Sequence, residues 1–299
     1  MERILITGSG LLANSLLTRF SNSECFLTYR KNRPKIDNSI FLDITKSDEL
    51  KKVIFKLKPD IIIHTAAITD LDWSEKNQSD TFNVNTQAVQ EITNLAKKIN
   101  SKLVFISTDS VFDGKEGKYK ENDRVNPINT YSKSKVLAEN YVKDYHKSLV
   151  IRGTFFGLKN GNKESFFSYL LNELRNNRRI RVPRDKISNG LFVDDFSQII
   201  SDMCKKELHG IFHLGTIDYE DNAKFAKHLS KICNFNNELI DECLFDEIFT
   251  DKKLVAMRPL NTVLDISKIS KEIRMPTVEE VLISFSKKYK IMAQNADEA

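Results

Sequence analysis

Five short apolar runs punctuate the first half of the chain, with helically spaced or polar stretches between them. They are Ile4–Thr7, Phe26–Tyr29, Ile61–His64, Leu103–Ile106 and Leu149–Ile151. Successive residues of a strand point to opposite faces, so an unbroken apolar run needs cover on both sides. A parallel sheet between two layers of helices meets that need. Between the runs, Leu12, Leu16 and Phe20 share one helical face, as do Leu50, Val53, Ile54 and Leu57, and Asn85–Ile99 also reads as a helix. Thr45 with Asp48 three residues on marks a helix start, and Pro59-Asp60 marks its end. The pattern predicts a doubly wound α/β fold of the Rossmann type, with a parallel sheet.

The second half is less regular. Phe166–Arg175, Asp195–Lys205, Asn222–Cys233 and Thr277–Tyr289 read as helices, and Gly210–Leu214 as a strand returning to the sheet. The expected division is a dinucleotide-type domain over 1–152, rejoined by about 188–216. A smaller lobe over about 153–187 and 217–292 would bind substrate, and a polar tail, 293–299, would be frayed.

Composition narrows the class. The 299 residues carry a net charge of +5 with Lys and acid interspersed, a surface too diffuse for nucleic acid but able to attract phosphates. The exception is the basic stretch Arg175, Arg178, Arg179, Arg181 and Arg184, which either meets a diphosphate or lies in solvent. The four cysteines lack C-x-x-C or metal-ligand spacing, so reduced thiols and no metal are expected. No apolar stretch reaches the ~18 residues of a membrane span, which makes a cytoplasmic location the default.

The first strand runs into Gly8-Ser9-Gly10-Leu11-Leu12-Ala13, a G-x-G-x-x-A turn that opens a helix. The first glycine permits the tight turn and the second lets backbone approach a pyrophosphate, while a small third residue lets helix and strand pack. The second strand ends Tyr29-Arg30-Lys31 with no acid to hold a ribose 2′-hydroxyl. An Arg there suits a 2′-phosphate, so NADP(H) is favoured and NAD(H) remains possible. Asp43 and Ile44, after the next strand, either hold the adenine or cap the following helix.

At the other end, Tyr131-Ser132-Lys133-Ser134-Lys135 opens a helix, and residues four apart share a face. Tyr131 and Lys135 therefore point into one cleft. A phenol with a pKa near ~10 exchanges protons slowly at neutral pH. An ammonium ~4 Å away contributes about 4 kcal/mol at a dielectric near ~20, enough to draw that pKa toward ~7 before desolvation takes its share. Tyr131 would protonate a carbonyl oxygen as hydride reaches carbon, and Lys135 would also hold the nicotinamide ribose. The preceding strand ends Ser107-Thr108-Asp109 at the ligand-binding edge, where Thr108 would donate to the substrate oxygen. Asp109 would orient these hydroxyls or contact a sugar.

Taken together, these segments resemble an extended short-chain dehydrogenase/reductase, most similar to the dTDP-4-dehydrorhamnose reductase family. The resemblance runs through Pro59–Ala67 with Thr69, Asp72 and Glu75, then Asn83-Val84-Asn85. It continues in Ile106–Gly114 (ISTDSVFDG), which leads through Tyr119, Glu121 and Pro127 to Tyr131 and Lys135. Later matches are Ile151–Thr154, Gly210–Leu214, and Arg258-Pro259 with Asn261, Leu264 and Asp265. It implies NADPH-dependent reduction of a 4-keto group on a nucleotide-linked deoxysugar for cell-surface glycan synthesis, with Thr108, Tyr131 and Lys135 catalytic; a homodimer is the expected assembly. It also implies that Ala66, Ala67 and Thr69 line the cofactor, that Arg152, Gly153 and Thr154 lie near the nicotinamide, and that Arg258 lies near the sugar nucleotide. The chain departs from the family in a glycine turn one residue shorter, and in Asp185–Gly190, where the family has a Pro-Thr pair.

Two alternatives stay open: a nucleotide-sugar epimerase on the same scaffold, and a regulatory subunit that keeps the fold without the activity. His64, at the end of a buried run, reads as a structural histidine, and Trp73 lies over the site or simply packs.

Overall fold

The computed structural model describes residues 1–31, 33–34, 36–158, 166–249 and 255–297, with the side chains of 249 and 291–297 left aside. Seven strands form one parallel sheet: β1 (Arg3–Thr7), β2 (Glu24–Tyr29), β3 (Ser39–Phe41), β4 (Ile61–His64), β5 (Lys102–Ile106), β6 (Ser148–Gly153) and β7 (Gly210–Leu214). Their order is β7-β6-β5-β4-β1-β2-β3, so the chain reverses its direction of winding between β1 and β4. The doubly wound fold expected from the apolar runs is present, and ligands of such sheets bind outside the strand carboxyl ends at that reversal.

Alternation explains why the runs are continuous. Ile4, Ile6, Ile61, Ile63, Val104 and Ile106 pack on one face of the sheet. Leu5, Ile62, Leu103, Phe105 and Val150 pack on the other. The first face is covered by α1 (Leu11–Leu17) and by α8 (Val193–Lys205), which lies against it; the second is covered by α2 (Ser47–Leu57), α5 (Ala88–Ile99) and α6 (Thr130–Val142). Between β4 and α5 lie α3 (Leu71–Lys76), α4 (Gln78–Phe82) and a π-helical turn, Asn83–Gln87.

One helix start differs from the expected one. The residue before α2 is Lys46, with no side-chain cap, because the Thr45 hydroxyl and N–H both go to Asp43 Oδ1 (2.7 and 3.0 Å). That local turn consumes the groups that a cap would use.

After β6 the chain builds a lobe of short strand pairs. Phe155–Phe156 pairs with Leu191–Phe192, Ile180–Pro183 with Ile240–Cys243, and Ile187–Ser188 with Glu220–Asp221. Helices α7 (Phe166–Arg175), α9 (Asn222–Cys233) and α10 (Val278–Asp297) accompany them. Helix α10 extends through most of the tail expected to fray, as far as Asp297; residues 298–299 lie outside the described residues. Among the described residues no helix is long and apolar enough to cross a membrane.

Candidate active site

At the carboxyl edge of the sheet a cavity of about 560 Å³ opens between the glycine turn, the ends of β4 to β6 and the lobe. It is lined by Gly10, Leu11, Leu12, Ala67, Thr69, Thr108, Tyr131, Lys135, Gly153 and Thr154, ten of the residues singled out in the sequence. Its far wall is aromatic, with Phe155, Phe156, Phe166, Phe167 and Phe225.

The glycine turn is shaped by two different constraints. Gly8 has φ +98°, and a Cβ there would sit 3.1 Å from the Ala66 backbone, so the fold itself requires glycine. Gly10 has ordinary extended dihedrals and a Cβ there would meet nothing within 4 Å. The space in front of it faces the cavity, as a backbone kept bare for a close-lying ligand would. Gly10→Ala is therefore expected to leave thermal stability unchanged and weaken NADPH binding about tenfold, roughly 1.4 kcal/mol, measured by titration calorimetry. Unchanged affinity would remove Gly10 from the ligand's path.

Helix α6 is fixed firmly at its start. Asn129 Oδ1 accepts from the Ser132 N–H (2.8 Å), and the Glu75 carboxylate takes the Thr130 N–H (2.6 Å) and hydroxyl (2.8 Å). Asn85, in the π turn, exchanges both amide bonds with the Ile68 backbone (2.8 and 2.9 Å) and donates to Ser134 Oγ (3.1 Å). It thus ties the loop carrying Ala66, Ala67 and Thr69 to the helix carrying Tyr131. Sequence spacing gave Asn85 no such role; a polar side chain inside an apolar helical pattern is the signal that marks it.

Tyr131 and Lys135 do line one cleft, but their electrostatics differ from expectation. Burial pushes the Tyr131 phenol up to about 12, with the Thr108 hydroxyl drawing it down and the Asp109 carboxylate adding to the rise. The expected depression by Lys135 is absent. The Lys135 ammonium instead donates to the Ile106 carbonyl (2.6 Å) and lies 4.1 Å from the Phe105 ring centre. Burial brings it down to about 7, and Glu139 opposes that fall. Thr108 donates to Asp109 Oδ1 (3.1 Å) and accepts from the Ser110 N–H (3.1 Å). His64 holds Thr7 Oγ1 through Nδ1 (2.6 Å) and stacks on Phe105, as a structural histidine does, and burial first, then Lys135, lowers it to about 3.

Several other expected site residues lie elsewhere. Arg152 turns away from the cavity into a buried ion pair with Glu139 (2.7 Å), because a guanidinium so enclosed needs a carboxylate. Ile44 is buried in the core beside Leu42 and Leu50, which leaves Asp43 alone able to meet a ligand there. Burial raises the Asp43 carboxyl, but Thr45, Arg30 and Lys46 together hold it below its usual value. Arg30 is exposed at the end of β2, and neither it nor Ser9 or Ala66 lines the cavity. Arg258 is committed to Asp72 (3.2 and 2.9 Å), which also accepts from the Val255 and Ala256 N–H groups. Asp109 is buried under hydroxyls and does not line the cavity. In the basic stretch, Arg178, Arg179 and Arg181 pair with Glu173, Asp241 and Glu247 at the exposed surface, the solvated arrangement. Trp73 is exposed and outside the cavity lining. Among the described residues no group of His, Cys, Asp or Glu is placed to hold a metal ion, and all four cysteines are free thiols.

A family model described as the RmlD substrate binding domain matches residues 1–291. A dTDP-4-dehydrorhamnose reductase of Aggregatibacter actinomycetemcomitans is 30% identical over 280 residues, 90% of this chain and 92% of that one. The chain belongs to the dTDP-4-dehydrorhamnose reductase family. The family resemblance read from the ISTDSVFDG segment and the Tyr131/Lys135 pair is thereby borne out. Among solved structures, a dTDP-4-dehydrorhamnose reductase from Bacillus anthracis in complex with NADP superposes with a TM-score of 0.85 at 25% identity, covering 96% of this chain and 99% of that one. Methionine adenosyltransferase 2 subunit beta of Bos taurus is also similar to this reductase-family chain, 25% identical over 276 residues, 90% of this chain and 81% of that one.

Proposed function

We propose that this chain reduces a 4-keto group on a nucleotide-linked deoxysugar, with NADPH as the hydride source and Tyr131 as the proton donor. Its family makes it an NAD(P)-dependent oxidoreductase. The observation that carries the finer reading is the convergence of Thr108, Tyr131 and Lys135 with the bare Gly10 backbone on one cavity at the winding reversal. The residues fit the cofactor. Gly10 leaves room for a pyrophosphate, Arg30 and Asp43, which interact with each other, would meet the adenosine, and Lys135 is a buried cation lining the same cavity as Tyr131.

A bound reduced nicotinamide supplies hydride to the carbonyl carbon. Tyr131 then delivers its proton to the oxygen, and its high pKa keeps that proton in place across the working range. Lys135, whose ammonium is tied to the Ile106 carbonyl and does not act on the phenol, would hold the nicotinamide ribose. The lobe beyond β6 would bind the sugar nucleotide; that division of labour, a cytoplasmic location and a homodimeric state are parts of the same proposal.

The purified chain is expected to oxidise NADPH stoichiometrically when given a dTDP-4-keto-6-deoxysugar, and more slowly with NADH. Turnover without net oxidation would favour an epimerase instead. The pH dependence follows from Lys135. Its ammonium is present below about 7 and is lost above, while Tyr131 stays protonated. The kcat/KM for reduction should therefore hold on the acid side and decline as pH rises through about 7. A profile flat through the alkaline range would show that the charge on Lys135 does not limit the reaction.

A further inference from the structure

Thr108 has one proton and several neighbours competing for it. That proton goes to Asp109 Oδ1 (3.1 Å), while the Thr108 oxygen accepts from the Ser110 N–H (3.1 Å); the same hydroxyl draws the pKa of the Tyr131 phenol down. A hydroxyl that lowers a phenol's pKa does so by offering its proton to the phenolate, so Asp109 and the phenolate compete for the one Thr108 proton. The pose of that hydroxyl is therefore set at Asp109.

The carboxylate is in turn held from the other end of the molecule. Thr262 donates to Asp109 Oδ2 (2.6 Å) across 153 positions of sequence, and Ser110 Oγ adds a longer contact to Oδ1 (3.3 Å). Thr262 is itself fixed to the lobe, its N–H bonding the Ile187 carbonyl (2.9 Å), while the Ile187 N–H bonds Leu260 (2.7 Å). Next to Ile187, the Lys186 ammonium donates to the Pro259 carbonyl (2.9 Å); burial disfavours its charge and the Asp109 carboxylate favours it. Thr262, Asp109 and Thr108 are all buried, so water does not readily exchange into these bonds. Lys186 and Ile187 belong to the Asp185–Gly190 segment.

We propose that Asp109 is a positioning residue for Thr108 and, through it, for Tyr131: its carboxylate fixes the Thr108 hydroxyl at the cavity wall that the phenol shares, and Thr262 of the lobe locks it in that pose. The inference rests on the reductase reading above. It makes the aim of the proton donor depend on the segment carrying residues 185–190 and 258–262. A displacement of that segment would disturb proton delivery without touching the cofactor.

The test uses full-length Asp109→Ala, Asp109→Asn and Thr262→Val proteins. Asp109→Ala should lower kcat about 100-fold, the order that misplacing a reacting group costs, with both KM values within about threefold. Asp109→Asn keeps an oxygen for Thr108 and gives Thr262 an N–H to accept, so it should recover to within about tenfold of the unaltered protein. Thr262→Val should lose about tenfold in kcat and keep the NADPH dissociation constant. A second readout needs no turnover: in protein isotope-labelled at tyrosine Cζ, the Tyr131 resonance, assigned through Tyr131→Phe, should move in Asp109→Ala and Thr262→Val. An unmoved resonance in both overturns the proposal, as does Asp109→Ala with kcat within threefold, or Asp109→Asn as slow as Asp109→Ala. If the unaltered protein reduces no 4-keto sugar nucleotide but the resonance moves as stated, the reductase reading fails and the positioning role stands.

Discussion

Tyr131→Phe is expected to lower kcat for NADPH-dependent reduction by about 10³-fold, within the 10² to 10⁴ that a positioned general acid contributes. The loss should appear in kcat and kcat/KM together, because the proton moves only in the transition state. Fold and cofactor binding should survive. The ring sits half-buried at the cavity wall, and the phenol's Thr108 contact is worth about 1 kcal/mol. On the reading proposed above, Gly10 and Lys135 would remain to hold NADPH, so its dissociation constant should stay within about threefold. Steady-state kinetics with a 4-keto sugar nucleotide, beside calorimetric titration of NADPH, separates the two. Undiminished turnover would remove Tyr131 from the chemistry. A chain whose biological role survives Tyr131→Phe would instead behave as a non-catalytic subunit, the alternative kept open by its likeness to methionine adenosyltransferase 2 subunit beta.

The sheet was legible because its signal is local and repeated. Ile61–His64 and Gly210–Leu214 form strands at the expected limits, since a run buried on both faces has sharp edges where turns begin. Tyr131 and Lys135 were legible for a similar reason, as four-residue spacing fixes a shared face wherever a helix forms. Burial and long-range pairing were not legible. Sequence spacing suggested that Lys135 would act on the phenol, but a lysine enclosed beside Phe105 is governed by desolvation and by the nearest carbonyl. Arg152 and Arg258 read as ligand-facing because they follow strands or family motifs; their carboxylate partners, Glu139 and Asp72, lie 13 and 186 positions away. Thr262 carried no local signal at all. Its role exists only once the lobe folds back onto β5.

The buried pair behind the cavity should give the largest effect on stability. Glu139 and Arg152 are 4% and 5% exposed, and the carboxylate accepts from Nε (3.1 and 3.2 Å) and Nη2 (2.7 Å) as well as from the Ser107 hydroxyl. A guanidinium cannot shed its proton, so Glu139→Ala leaves a buried cation, with the Glu121 carbonyl (3.3 Å) and His213 (3.5 Å) as its remaining hydrogen-bond neighbours among the described residues. The expected loss is about 3–5 kcal/mol, read from the midpoint of urea unfolding. The double variant Glu139→Ala, Arg152→Met removes both charges and should recover most of that loss. Activity should fall further than stability requires, for two reasons. Glu139 lies one helical turn beyond Lys135 and holds its pKa up, so without it the ammonium is lost at a lower pH. Ser107, which lines the cavity beside Thr108, also loses its anchor. Arg152→Met separates this account from the ligand role implied by family resemblance. An internal ion pair predicts lost stability with NADPH affinity unchanged in the protein that remains folded, whereas a nicotinamide contact predicts lost affinity with the unfolding midpoint unmoved.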